Sequence, residues 1–102
     1  MSEFTEIIGS SKPTLVDFFA TWCGPCKMQS PILEQLKAKV GDDANIVKID
    51  IDRNRDLAAQ YQVRSVPTLI IFKNGEPQWR ASGLHPLEVL EEKIRIQMEP
   101  GK

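Results

Sequence analysis

Apolar residues along this 102-residue chain fall into short blocks whose spacing switches between helical and extended. Phe4, Ile7 and Ile8 recur at helical spacing within Ser2 to Gly9, and Gly9-Ser10-Ser11-Lys12-Pro13 stops that helix. Thr14-Leu15-Val16-Asp17-Phe18-Phe19-Ala20 is apolar on both faces except at one aspartate. Such a run predicts a central strand covered on both sides. A helix follows, in which Pro25 suits the first turn because a missing N–H costs nothing there. Met28, Ile32, Leu33, Leu36 and Val40 carry its apolar stripe to Gly41. Pro31 lies inside the stripe and removes one backbone hydrogen bond, but the periodicity continues beyond it, so a kink is expected and not a stop.

Asn45-Ile46-Val47-Lys48-Ile49-Asp50-Ile51 alternates as a second strand, and Asn54 to Tyr61 sets Leu57, Ala58 and Tyr61 on one side of a short helix. Strand, helix, strand, helix predicts a right-handed parallel unit. The pattern then changes. Thr68 to Phe72 and Gln78 to Ser82 flank Lys73-Asn74-Gly75-Glu76, and Asn-Gly between apolar runs signals an antiparallel hairpin. Gly83 ends the hairpin, and Leu84-His85-Pro86-Leu87-Glu88 opens a last helix, with Pro86 at its first position and Leu87, Leu90 and Ile94 facing inward. Glu99 to Lys102 is expected to fray. No linker, repeat or low-complexity segment divides the chain, which predicts one domain over residues 1–102.

Composition narrows the function. With 41% hydrophobic and 26% charged residues, the chain has the make-up of an ordinary globule, able to bury about two thirds of its unfolded surface without a staple. Its two cysteines are therefore free for chemistry. A formal net charge of -1 gives no basic bias toward nucleic acid. The apolar runs are too short for a membrane span, and Met1 to Glu6 lacks the basic and apolar regions of a secretory signal. Both features predict an intracellular protein, and two cysteines in a reducing compartment point to catalysis.

Those cysteines stand in Trp22-Cys23-Gly24-Pro25-Cys26-Lys27, directly after the first strand. Two intervening residues at a helix start bring the sulfurs within bonding reach. Because the thiolate is the nucleophile, the helix N-terminus, with its unpaired N–H groups and positive dipole end, favours Cys23 as the reactive sulfur. Cys26, expected to lie deeper, would resolve the mixed disulfide. The competing role is a metal site, but one cysteine pair and the lone His85 fall short of the four ligands of a closed zinc centre. Asp17 is the second signal, since a carboxylate in an apolar strand is costly unless paired or neutral. It reads either as a satisfied structural acid or as a buried proton acceptor beneath Cys26. Lys48 on the neighbouring strand is its candidate charge partner, although a lysine in an alternating strand is more often simply solvated.

Together with Val16-Asp17-Phe18, Val66-Pro67-Thr68-Leu69 and Phe72-Lys73-Asn74-Gly75, this hexapeptide resembles the thioredoxin family in order and spacing over nearly the whole chain. The resemblance implies an α/β thioredoxin fold, and a protein-disulfide reductase that needs no metal or organic cofactor. By that resemblance Cys23 is the nucleophile, Cys26 the resolving thiol, and Asp17 with Lys48 the pair that manages the proton of Cys26. Pro67 would be a cis-proline facing the disulfide, an assignment physics alone would not make, because most X-Pro bonds are trans. Val66 would offer backbone groups to an extended substrate segment, and Trp22, Gly24, Pro25, Gly83 and Leu84 would complete the substrate-binding surface. The implied partners are disulfide-containing target proteins and a thioredoxin reductase, met by a cytoplasmic monomer that binds neither nucleic acid nor membrane.

Two departures from the family pattern carry expectations of their own. Phe19 stands where a second tryptophan is usual. Only 22 residues precede Cys23, too few for the usual first strand and helix before the central strand. The sheet is therefore expected to be mixed and four-stranded, in the order second, first, third, fourth, with the strand around Ile49 an exposed edge. His85 reads as a surface residue at a helix start, Arg53 and Arg55 as a solvated face, and Trp79 as packing. Two rivals remain. An oxidase or isomerase of the same fold would differ in reduction potential, and a thioredoxin-fold binding subunit would use its docking surface and not its thiols.

Overall fold

The computed structural model of the chain describes residues 3–99. A helix, α1 (Glu3–Ile8), leads into β1 (Thr14–Phe19). From there α2 (Gly24–Val40) and a 3-10 turn (Gly41–Asp43) carry the chain to β2 (Asn45–Asp50), which lies parallel to β1. After α3 (Arg55–Gln60) come β3 (Thr68–Lys73) and β4 (Glu76–Ser82), an antiparallel pair, and then α4 (Leu87–Met98). Among the described residues the four strands are ordered β2-β1-β3-β4, the order expected from the family resemblance without its usual first strand.

The two central strands explain the unbroken apolar runs. Side chains alternate across a strand, so Leu15, Leu69 and Ile71 join Leu33, Leu36, Leu90 and Ile94 under α2 and α4. Val16, Phe18, Ile70 and Phe72 pack with Phe4 and Ile8 on the opposite face, where Leu57 and Tyr61 of the α3 region close over them. Asp17 falls on the face of Leu15, toward α2. Helix α2 continues through Pro31 to Val40 because its inward stripe of Cys26, Gln29, Leu33, Leu36 and Val40 is buried throughout. In the hairpin, Asn74 and Gly75 both have positive φ, 54° and 84°, the two-residue turn that matches strand twist. Their N–H groups donate to Ser10 and Ile8 carbonyls, tying the turn to the end of α1.

Boundaries differ from the sequence reading in physically interpretable ways. Strand β4 begins at Glu76, ahead of the expected Gln78; Pro77, which cannot donate to a ladder, is tolerated on this edge strand beside a register shift between Ile71 and Phe72. Pro86 precedes α4 as its cap and is not its first helical residue: its ψ of 161° is extended, while its carbonyl accepts from Val89 and Leu90. Glu99 is held, not frayed, because the Lys73 ammonium donates to the carbonyls of Gln97 at 2.8 Å and Glu99 at 3.1 Å. Ser2 of the first expected helix, and residues 100–102 of the expected fraying end, lie outside the described residues.

Strand β2 forms an open edge of the sheet. The bonds from Asn45 N–H to Pro13 and from Ile51 N–H to Phe19 set the phase of the parallel ladder, so the N–H groups of Ile46 and Lys48 point outward. Amide exchange measured by NMR should be much faster at Ile46 and Lys48 than across Leu15 to Phe19. Equal protection would mean that the edge is covered.

Candidate active site

Cys23 occupies the N-cap of α2 with extended dihedrals, φ -95° and ψ 116°. Its Sγ accepts the N–H of Cys26 at 3.1 Å, the bond that a serine or aspartate oxygen makes at other helix starts. Sulfur thus takes the place of a capping oxygen, and the helix start stabilises its anion in the reduced state. In this structure the two cysteines are joined as a disulfide, with Cα atoms 5.3 Å apart. Gly24 and Pro25, the first two residues of the helix, are exposed between them. Helix position suggests that Cys26 lies deeper. Burial does not separate them, however, at 4% exposure for Cys23 and 3% for Cys26, because Ala20, Phe19 and Val66 close around both. What differs is their surroundings: the Cys23 sulfur lies 3.6 Å from the Val66 carbonyl, toward the surface segment that precedes Pro67.

Three chain segments meet around that sulfur. The Val66-Pro67 bond is cis. Gly83, at φ 92°, adopts a conformation that favours glycine and donates its N–H to the Pro67 carbonyl at 2.8 Å. Beside them Trp22 is 68% exposed and Leu84 40%, both large for open surface. The Trp22 indole N–H donates to Asp52 at 2.9 Å, fixing a ring that would otherwise swing freely. Between Trp22 and Val66 runs a pocket of about 280 Å³, with Ile51 and Val63 in its wall.

Sequence reasoning missed two contributors. Asp52 gave no signal beyond being one more acid after a strand. Gln29 did give one: three residues after Cys26 and four before Leu33, it stands where the apolar stripe of α2 calls for a hydrophobe. It is fully buried, and its side-chain amide bonds both backbone groups of His85, accepting from N–H at 2.8 Å and donating to C=O at 3.0 Å. His85 is accordingly half-buried and not a plain surface residue; its Nδ1 lies 2.7 Å from the Gly83 carbonyl and its ring meets Trp79 edge-on. Trp79 packs on the cluster around Leu90 and Ile94, while Arg53 is almost fully solvated.

Asp17 is completely buried, and neither carboxyl oxygen has a hydrogen-bond partner among the described residues. Burial raises its pKa from 3.8 to about 6, with the Lys48 charge pulling it partly back. Lys48 is the register partner of Asp17 across β1 and β2, but among the described residues no salt bridge joins the two. The ammonium reaches instead to the Ser30 hydroxyl at 2.6 Å and sits 4.7 Å over the Phe19 ring. A long stem lets an exposed lysine keep its charge hydrated at the rim while its field still reaches inward. Lys48, Ser30 and Phe19 line a pocket of about 350 Å³ that opens onto Cys26. Phe19 itself packs against Ala20 and the two cysteines, so the sheet surface behind the disulfide stays filled without an indole.

Comparison with known proteins places this arrangement. The thioredoxin family model matches residues 1–96. Over 93 residues, 91% of this chain and 88% of the relative, the sequence is 54% identical to thioredoxin of Staphylococcus saprophyticus. A further relative, the bifunctional thioredoxin reductase/thioredoxin of Mycobacterium leprae, is 45% identical over 82 residues, which span 80% of this chain and 18% of that protein. Among solved structures, a thioredoxin variant from Halobacterium salinarum superposes with a TM-score of 0.89 at 37% identity, covering 100% of this chain and 88% of the other. Since these matches run through the sheet and helices as well as the cysteine motif, the chain belongs to the thioredoxin family, and its activity is protein-disulfide reduction.

Proposed function

We propose that Cys23 is the attacking sulfur of this reductase, Cys26 its resolving thiol and Asp17 the acceptor of the Cys26 proton. The capping geometry of Cys23 carries the assignment: its sulfur already holds a helix-start N–H at 3.1 Å, which favours a thiolate. In the first step the Cys23 thiolate attacks a target disulfide; a bond forms between Cys23 and one target sulfur, and the other target sulfur leaves and takes up a proton. Next, Cys26 gives its proton to Asp17 and attacks Cys23. The Cys23–Cys26 bond forms, the mixed disulfide breaks, and the target departs with two electrons. The disulfide seen here is the product of that second step. Asp17 suits the task because its pKa of about 6 leaves it largely ionised at neutral pH, yet basic enough to accept a proton from a neighbouring thiol. Lys48 acts on Asp17 through its field.

Trp22, Gly24, Pro25, Val66, Pro67, Gly83 and Leu84 form the surface on which the extended target segment lies, its backbone toward Val66. Two electrons must then return to the cysteines. A thioredoxin reductase is the donor that fits, and the M. leprae relative, by its name, joins both activities in one protein. We read the chain as a single-domain monomer working in a reducing compartment, the cytoplasm, where an electron-carrying dithiol is restored after each cycle. Among the described residues no helix is long and apolar enough to cross a membrane.

Alkylation of the reduced chain tests the division of labour. Iodoacetamide near neutral pH should modify Cys23 much faster than Cys26, as read by peptide mass spectrometry over time. Equal rates, or faster labelling of Cys26, would overturn it.

A further inference from the structure

The buried Gln29 joins two parts of the molecule that the redox chemistry treats as separate. Its amide side chain satisfies the N–H and the C=O of His85, as a neighbouring strand would, from a position one turn beyond Cys26 on the same helix. The loop it holds is tied on its other side as well. Gly83 donates to the Pro67 carbonyl at 2.8 Å, and the His85 ring, braced by Trp79, reaches the Gly83 carbonyl at 2.7 Å. Bonds therefore run from helix α2 to the loop 83–85 and from that loop to the Val66-Pro67 segment, whose Val66 carbonyl lies 3.6 Å from the Cys23 sulfur. Leu84, the exposed side chain of that loop, is flanked by its two fixed points.

A glutamine inside an apolar helix stripe is costly unless every polar atom is used. Leucine would pack there without that requirement. Here the amide hydrogen-bonds the backbone of His85, next to Leu84, and neither sulfur. We infer that Gln29 is a positioning residue for target recognition: by clasping His85 it fixes where Leu84 stands relative to Cys23, and so sets affinity for protein disulfides without altering the exchange chemistry. This rests on the reading of Gly83 and Leu84 as target-binding surface. Without the clasp Leu84 samples several positions, and ordering it on each encounter weakens binding.

Single-turnover rates of the reduced chain test this against two probes, insulin as a protein disulfide and 5,5′-dithiobis(2-nitrobenzoate) as a small one, each over a range of concentrations. Gln29→Leu should raise the half-saturating insulin concentration about tenfold, with the limiting rate and the small-probe rate unchanged within about twofold. Hydrogen exchange should show the His85 amide protected in the unsubstituted chain and open in the variant. Gln29→Glu serves if the leucine variant does not fold. Its buried carboxyl, protonated at pH 5, can still donate to His85, whereas its carboxylate at pH 8 cannot. Because that carboxylate repels the His85 carbonyl, the half-saturating insulin concentration of this variant should rise from pH 5 to pH 8 several-fold more than that of the unsubstituted chain, with no such excess for the small probe. Equal losses with both probes, or an opened His85 amide with unchanged insulin saturation, would overturn the inference. Failure of the reductase reading shows separately, as an unsubstituted chain that does not reduce insulin at all.

Discussion

Asp17→Ala should make the oxidised protein more stable at pH 8 and less stable at pH 4, while slowing its turnover. The carboxyl is fully buried without a hydrogen-bond partner, and its pKa is about 6 when folded against 3.8 ordinarily. An acid with a raised folded pKa contributes its full stability below the unfolded value, and that contribution is lost as pH rises through the folded one. The window is therefore roughly pH 4 to 6, and the cost above it is about 3 kcal/mol from a shift of about two pH units. Alanine removes the cost but leaves a small cavity worth about 1 kcal/mol. Chemical denaturation should accordingly show a net gain of about 2 kcal/mol at pH 8 and a loss of about 1 kcal/mol at pH 4. Without its proton acceptor, release of the target by Cys26 should slow about a hundredfold. A variant less stable at every pH, with unchanged reduction rates, would make Asp17 a structural residue and remove it from the mechanism.

The same residue shows how far sequence alone reaches. An aspartate in an apolar strand can be read as buried and unusual from pattern alone, and its register partner Lys48 follows once two parallel strands are recognised. Whether the pair forms a salt bridge is decided by side-chain reach, and Ser30 on the facing helix gives the lysine a different hydrogen-bond partner. The central strands and the hairpin were legible because covered strands read as continuous apolar runs and Asn74-Gly75 favours a tight two-residue turn, whereas the order of the sheet followed only from the family resemblance. Element ends were less so. Pro86 caps α4 in an extended conformation and does not join it, and the residue before it is held by Gln29, a contact between positions 56 apart in sequence. The clasp itself left only a faint mark, one polar residue in an apolar stripe. The relative burial of the cysteines depends on Phe19, Ala20 and Val66 arriving from other segments. Helix position alone does not show how closely the two match, at 4% and 3% exposure.

The largest effects belong to the two sulfurs, and they are opposite in kind. Cys23→Ser replaces the attacking thiolate with a hydroxyl that does not ionise near neutral pH, so no bond to a target forms and disulfide reduction should fall to background. Cys26→Ser leaves the attack intact but removes the group that releases the target. Each molecule should then react once and stop as a mixed disulfide, with one target sulfur bonded to Cys23. Mass spectrometry of both variants after mixing with a disulfide-bonded peptide, under non-reducing conditions, tests this most directly. A peptide adduct on Cys23 in the Cys26→Ser protein, and none in the Cys23→Ser protein, is the expected result. An adduct on Cys26 in the Cys23→Ser protein, or continued turnover by Cys26→Ser, would contradict the account.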